Sequence, residues 1–534
     1  VGTALAKSLA GRFGRIALIE AGNAAHSVEA NLKYFKAEQV ADERHPPTEL
    51  YRRRMLGGTT SVWGGRCIPL DREDLEPAFD RAGWPISFEA VEPYYPAALE
   101  FLDAGAPDFS ARSALPQLGL PAGLGESGVD DSLIIVDRIE RFSKPTNVWR
   151  KWQAELAQSA DIEVIHDTAC TAIATSHDGN RVVGLDLKSA SGNTHRINAT
   201  TIILACGGLE TPRLLLASRG SRSCGLGNEQ DLVGRYYMTH LIGIAGHMRF
   251  KSAATARAFD YGMTPDHIYG RRLLLLTPEH RRRNDIGNIV FRPTIPSIAG
   301  SEHGDPVLSA MFLAKRFIIK EYALRLANEN FNGNFSVFSH AMNVLRGLPK
   351  LSSFSLDWTR RRIAATRKLP SVFLYRKDGT YPLEFNSEQR PNPDSRIFLG
   401  NETDPNGVPR LSVQWRMQDD ESTGISRAYQ LLADGFAKSG LGDVQLGPDF
   451  EATVRETILP QGGHHIGTAR MGTEPGNSVV DSFGEVWGTR GLYVAGAALF
   501  PTSGFANPTL AAVALAYRLA ERLLQRHAAP LAKA

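Results

Sequence analysis

The sequence predicts an α/β fold, α+β over its whole length, in which a nucleotide-binding sheet is reassembled from segments distant in the chain and joined to a second domain. Three stretches carry this expectation. Residues 1–22, VGTALAKSLAGRFGRIALIEAG, read as a small-residue helix, a glycine turn and an apolar strand that ends in an acid. Residues 199–218, ATTIILACGGLETPRLLLAS, repeat the strand, glycine and helix order. Residues 492–523, LYVAGAALFPTSGFANPTLAAVALAYRLAERL, do so again and follow the glycine-rich GGHHIGTARMG of 462–472. The helix opened by that last Pro-Thr step would aim its free N–H groups at whatever lies beside it.

At 534 residues the chain has room for roughly three to four units of ~150 residues, although interwoven domains break such a count. Hydrophobic residues at 43%, charged residues at 22% and 50 glycines describe a globular protein with many tight turns rather than a disordered one. The balance of 60 Lys+Arg against 57 Asp+Glu is too even to mark a nucleic-acid surface. Cys67, Cys170, Cys206 and Cys224 show neither CxxC pairs nor Cys/His ligand spacing, so no disulfide framework and no metal site is expected. No apolar run reaches the ~18 residues of a membrane span. This reading places the protein in the cytoplasm; because the chain starts inside a motif, an export signal stays open.

Taken in order, Ala4, Leu5 and Leu9 share one face of the first helix, and Ile16 to Ile19 form the strand. Gly2 and Glu20 stand eighteen residues apart, the spacing of a helix-opening glycine and a ribose-binding acid in a dinucleotide-binding unit. The first strand and first two glycines of such a unit would precede residue 1, so the chain looks N-terminally truncated. A surface βα unit ending in a chance Glu reads the same way. In RRRMLGGTTSVWGGRCIPLD (52–71), two Gly-Gly pairs flank Trp63; they would let backbone N–H groups approach a phosphate or ring, or would simply form two turns around a core Trp.

Ile162 to Thr175 and Arg181 to Leu187 alternate as a small antiparallel meander around the turn Ser176 to Asn180. In 199–218, Pro212 is expected near the first helical turn. From about Arg249 to Arg455 no glycine fingerprint recurs, and strands such as Leu411 to Trp415 suggest the second domain. Within it, 311–378 carries thirteen Lys/Arg against four Asp/Glu, interleaved with Phe, Trp and Leu. That pattern is either a basic amphipathic surface for anionic lipid or an acidic substrate, or the solvated face of an inserted helical pair.

Together these pieces resemble the glucose-methanol-choline oxidoreductases, flavoproteins that oxidise alcohols and sugars, and most closely the branch of pyranose 2-oxidases and related sugar dehydrogenases. The most specific part is HHIGTARMG with the asparagine of ANPTL 43 residues beyond His464. The resemblance implies a Rossmann-like FAD-binding domain from 1–248 and 456–534, and a substrate-binding domain on an antiparallel sheet from 249–455 with the insertion 311–378. It implies that Glu20 holds the adenosine ribose beside Gly2 and that the Cys170 backbone meets the adenine. Thr59, Trp63, Gly64 and Arg66 would line the pyrophosphate and flavin, with Gly496 and Ala497 opposite and Pro508 and Thr509 at the flavin carbonyl edge. Val62 stands where pyranose 2-oxidases often carry a flavin-linking histidine before the tryptophan, so FAD is expected to bind non-covalently.

Alcohol oxidation needs a base for the hydroxyl proton, and histidine titrates near neutral pH. His464 occupies the family's position for that base, and His465 is read as a packed or supporting ring. Asn507 would turn its amide to the substrate oxygen; the alternative is a plain cap for the helix at Pro508. The substrate is expected to be an alcohol, sugar or cyclic polyol. The electron acceptor stays open among oxygen, a quinone and a cytochrome. Two rivals remain: a flavin hydroxylase of related fold, and an inactive protein that has kept the FAD fold.

Overall fold

A computed structural model describes residues 1–78, 83–119, 133–144, 146–314 and 336–528. The opening helix, Gly2–Leu9, buries Ala4, Leu5, Ala6 and Leu9. Its glycine sits where a Cβ would lie 3.4 Å from the Cβ of Ala205, so helix and strand approach closely there. Strand Ile16–Ile19 pairs in parallel with Ile162–Ile165, and Ile202–Leu204 pairs in parallel with Leu492–Val494. Strands from distant segments thus do pair as expected, in two separate parallel pairs among the described residues. Parallel pairing requires crossovers, which explains why these strands are never neighbours in sequence.

The run 162–175 proves to be two strands in two sheets. Ile162–Ile165 serves the parallel pair, the chain reverses at Asp167 (φ 53°), and only Thr168–Thr175 joins Val182–Ser189 and Thr194–Asn198 in the antiparallel meander. Alternation alone does not reveal such a break, because both halves keep the same period.

Pro212 also differs from expectation. Helix Gly207–Ala217 begins early enough to put Pro212 inside it. A proline there cannot donate to the carbonyl four residues back, that of Gly208. The hydroxyl of Thr468, from the HHIGT stretch, donates to this carbonyl at 2.7 Å. A Cβ on Gly208 would come within 2.1 Å of the His465 carbonyl oxygen. The helix and the histidine-bearing loop therefore dock backbone against backbone, which only glycine allows.

The second sheet has seven strands, with His240–Phe250 and Thr380–Glu388 at its centre and Ile289–Pro293, Leu274–Leu276 and Ile134–Ile135 following on one side. Gly442–Gln445 and Leu459–Pro460 pair with His240–Phe250 on its other side. Leu383, Phe385 and Phe291 point to one face and join a buried cluster with Tyr429 and Phe436 of helix Asp419–Ser439. Side chains alternate along a strand, so Glu384, Asn386 and Glu388 share the opposite face. Across the ladder, Arg292 stands opposite Glu384 and His240 opposite Glu388. Arg292 and His240 are fully buried, so this sheet packs an apolar face on its helix and turns a polar face inward.

Of the basic stretch 311–378, residues 315–335 lie outside the described residues. Helices Val337–Arg346 and Leu348–Trp358 follow, continued by a π-helical turn at Thr359–Ala364. Among the described residues, no helix is long and apolar enough to cross a membrane.

Candidate active site

The parallel strands and the three glycine-rich turns surround one cleft of about 1480 Å³. Gly2, Glu20, Thr59, Trp63, Cys170, Gly496, Ala497, Pro508 and Thr509 all line it, although they come from five separate parts of the chain. Glu20 ends its strand with Oε1 accepting the Gly22 N–H at 2.8 Å. Burial pushes its carboxyl up to about 7, against the pull of that hydrogen bond and of Arg54. Trp63 is fixed by its indole N–H, which donates to the Thr146 carbonyl at 3.0 Å. Pro508 and Thr509 bring the first turn of the long helix Pro508–Ala528 to the wall, with its positive dipole end.

Whether this bed suits a dinucleotide can be tested at its glycines. Gly58, Gly207 and Gly496 all line the cleft with positive φ (53°, 80° and 111°). A Cβ at Gly58 or Gly207 would meet nothing within 4 Å, and at Gly496 only Val1 Cγ2 at 4.0 Å. Open backbone facing a cleft in conformations that side chains disfavour is what close approach of a phosphate or ring requires. The donor set fits FAD.

Gly64 and Arg66 do not reach this wall. The chain leaves the cleft after Trp63 and Arg66–Cys67 pairs with Arg141–Phe142. Arg66 Nε then lies 3.1 Å from Glu140 Oε2, and Arg292 Nη2 lies 2.8 Å from the same oxygen. Burial pushes the Glu140 carboxyl up, but Arg292 and Arg66 outweigh it and hold its pKa below the usual range. Neither Glu140 nor Arg292 carries a local signature, since the cluster forms only when three strands come together.

Gly463 and His465 line the cleft, while the ring of His464 between them engages other partners. His464 Nε2 is 3.1 Å from Asn507 Nδ2, and His464 Nδ1 is 2.7 Å from Nδ1 of His240. The two imidazoles meet edge to face, 4.8 Å between centroids. Burial, followed by the field of His240, Arg66 and His465, holds the His464 pKa well below 6.5. His465 stacks instead on Tyr237, whose hydroxyl is bonded to His45 Nε2 at 2.8 Å.

Asn507 does not cap its helix. Its Oδ1 is buried without a hydrogen-bond partner and its amide nitrogen faces His464. The expected pair is therefore in contact across 43 residues. His240, 224 residues from His464, escaped sequence reasoning because a single histidine opening a strand has no distinguishing spacing.

The chain belongs to the GMC oxidoreductase family, whose N-terminal and C-terminal domain profiles match residues 136–242 and 391–516. It is an FAD-dependent oxidoreductase acting on CH–OH groups. It is similar to the 2-methyl-1,2-propanediol dehydrogenase of Mycolicibacterium austroafricanum, at 25% identity over 90% of this chain and 82% of that protein. The fructose dehydrogenase large subunit of Gluconobacter japonicus is 23% identical over 92% and 85%. A C-glycoside 3-oxidase of Microbacterium trichothecenolyticum is 33% identical over 26% of each chain. The crystal structure of pyridoxine 4-oxidase from Mesorbium loti shares the fold, with a TM-score of 0.55 and 14% identity over 98% of this chain and 96% of that one.

Proposed function

We propose that the protein oxidises a secondary alcohol of a sugar, glycoside or cyclic polyol, with His464 taking the hydroxyl proton and Asn507 holding the oxygen. The observation that carries this reading is the 3.1 Å contact between His464 Nε2 and Asn507 Nδ2, one acceptor and one donor turned to the same point. An alcohol hydroxyl placed between them donates to the first and accepts from the second. When bound, FAD supplies the hydride acceptor. Burial keeps His464 uncharged at neutral pH, so it is ready to accept a proton. In this reading most of 1–248 and 456–534 holds the cofactor, and 249–455 closes the substrate side on a sheet that also takes strands Ile134–Ile135, His240–Phe250 and Leu459–Pro460. The four free cysteines accord with a cytoplasmic enzyme.

Relatives named for a diol, for fructose and for a C-glycoside support a substrate rich in hydroxyls. Both dehydrogenases and oxidases are among them, so a quinone, a cytochrome and oxygen are all acceptors to assay. The test is anaerobic mixing of the FAD-loaded protein with a panel of sugars, glycosides, cyclic polyols and simple alcohols while flavin absorbance is followed. Sugars or polyols should bleach the flavin. Bleaching by simple alcohols alone would sink the substrate class.

FAD is held without a covalent bond, since Val62 replaces the linking histidine and lies 40% exposed. Acid precipitation should leave the yellow colour in the supernatant; colour retained in the pellet contradicts this.

A second reading concerns the helices 337–364, which add contact with an anionic membrane surface. Phe338 and Leu356 are 74% and 75% exposed, and Val337, Leu345 and Ile363 are exposed beside them. Arg346, Arg360 and Lys368 are exposed in the same stretch. Apolar side chains enter the acyl boundary while each cation near an anionic surface contributes about 1 kcal/mol. The protein should co-sediment with phosphatidylserine vesicles at low salt and be released at high salt. Absence of binding at low salt leaves the solvated face or an acidic substrate.

A further inference from the structure

We propose that His240 is a positioning residue: it fixes the tautomer of His464 and thereby leaves Nε2 of that ring as the atom that receives the substrate proton. The inference rests on the reading of His464 as the base, and it starts from a group whose role is fixed by chemistry. The carbonyl of Ser503 can only accept a hydrogen bond. His240 Nε2 lies 3.1 Å from that oxygen, so this nitrogen carries a proton. His240 is fully buried, and burial, the leading cause, brings its pKa down to about 4; the ring is neutral near pH 7 and has a single proton. Its Nδ1 is consequently a lone pair.

His464 Nδ1, 2.7 Å away, must therefore be the donor in the contact between the two rings. A neutral His464 has spent its proton there. Its Nε2 is left as a lone pair, and the group facing that nitrogen at 3.1 Å is the donor end of the Asn507 amide. The hydrogen bonds thus run in one direction: Asn507 to His464, His464 to His240, His240 to the Ser503 carbonyl. Without the acceptor at His240 only the Asn507 amide would bear on the choice, and an amide can serve either tautomer. The alternative tautomer places the proton on Nε2, where the buried and unpartnered Asn507 Oδ1 could accept it after an amide rotation, and a protonated Nε2 cannot act as base.

The fold holds His240 firmly enough for this task. The Thr239 N–H donates to Gln389 Oε1 at 2.9 Å, and the His240 carbonyl accepts from the Gln461 N–H at 2.8 Å. Ser503 is tied to the same strand end, its hydroxyl accepting from the Gln389 N–H at 2.9 Å. The strand end that carries His240 and the Ser503 segment that anchors it are therefore linked through one glutamine, Gln389. A third group that orients the base is a recurring solution in nucleophile and proton-transfer sites.

The experiment uses the FAD-loaded protein with ¹⁵N-labelled histidine, and the His464 signals are assigned by difference from His464→Ala. In the parent, Nδ1 should be protonated and Nε2 should show the shift of an unprotonated ring nitrogen. His240→Leu should move the proton toward Nε2 and lower the anaerobic rate of flavin reduction about 10- to 100-fold, with the substrate KM little changed. His240→Asn returns an acceptor oxygen near the Nδ1 position and should restore most of the rate and the parent tautomer. A parent His464 protonated at Nε2 overturns the proposal, even if His240→Leu fails to fold. So does a His240→Leu protein with both rate and tautomer unchanged, or a His240→Asn protein as slow as the leucine variant. If His464→Ala itself reduces flavin at the parent rate, the base reading fails, and the ¹⁵N spectra still decide what His240 does to its neighbour.

Discussion

Replacing His464 with alanine should slow reduction of bound flavin by substrate by about 10²–10⁴-fold, the usual range for losing a general base. The cofactor should stay bound, because the cleft is lined by Gly463 and His465 and by residues from at least five other segments, and His464 makes its contacts elsewhere. Burial keeps the His464 pKa well below 6.5, so the base is unprotonated through neutral pH. Protonation removes its function only as pH falls through that lowered pKa. The parent rate should therefore be level near neutrality and decline on the acid side, and the alanine variant should lose that decline. His465→Ala is the control: its ring stacks on Tyr237 and should affect stability or cofactor affinity more than the chemical step. A variant in which His465 controls the rate and His464 does not would exchange their roles.

Replacing Asn507 with alanine should slow the same step by about tenfold to a hundredfold, the loss of one hydrogen bond that strengthens as the alcohol oxygen gains negative charge. The amide nitrogen and His464 Nε2 now face each other at 3.1 Å, so a hydroxyl entering between them must draw them apart while keeping both partners. Thermal stability separates this role from capping. An N-cap asparagine contributes typically about 1 kcal/mol through its side-chain oxygen. Here that oxygen makes no hydrogen bond, so the melting temperature of Asn507→Ala should stay close to the parent. A clear drop in melting temperature with an unchanged reduction rate would assign Asn507 to the helix instead.

Some of this site could be read along the chain and some could not. The glycine turns, the strand Ile16–Ile19 and the separation of His464 from Asn507 are local facts: tight turns need glycine, and the motif spacing is written in residue numbers. Nine of the expected cofactor residues do meet at one cleft. Gly64 and Arg66 do not, because a loop motif predicts a turn but not the direction in which the chain leaves it. Arg66 leaves toward Glu140 and Arg292, and the partner strands are remote in sequence. The division of 162–175 between two sheets was hidden for a related reason, since alternation records which face is buried and not which strand lies alongside.

Composition and short-range pattern were enough to expect an α/β chain whose nucleotide-binding strands come from distant segments, with its glycine turns, while the histidine and asparagine pair entered through the family resemblance. The strands and turns depend on backbone conformation and on side-chain type within a few residues. Which atom of His464 is free, what holds it so, and how Pro212 is tolerated inside a helix depend on hydrogen bonds to His240 and from Thr468. Hydrogen bonds require donor and acceptor within about 3 Å and in line, and only the folded chain brings residues this far apart in sequence to that distance.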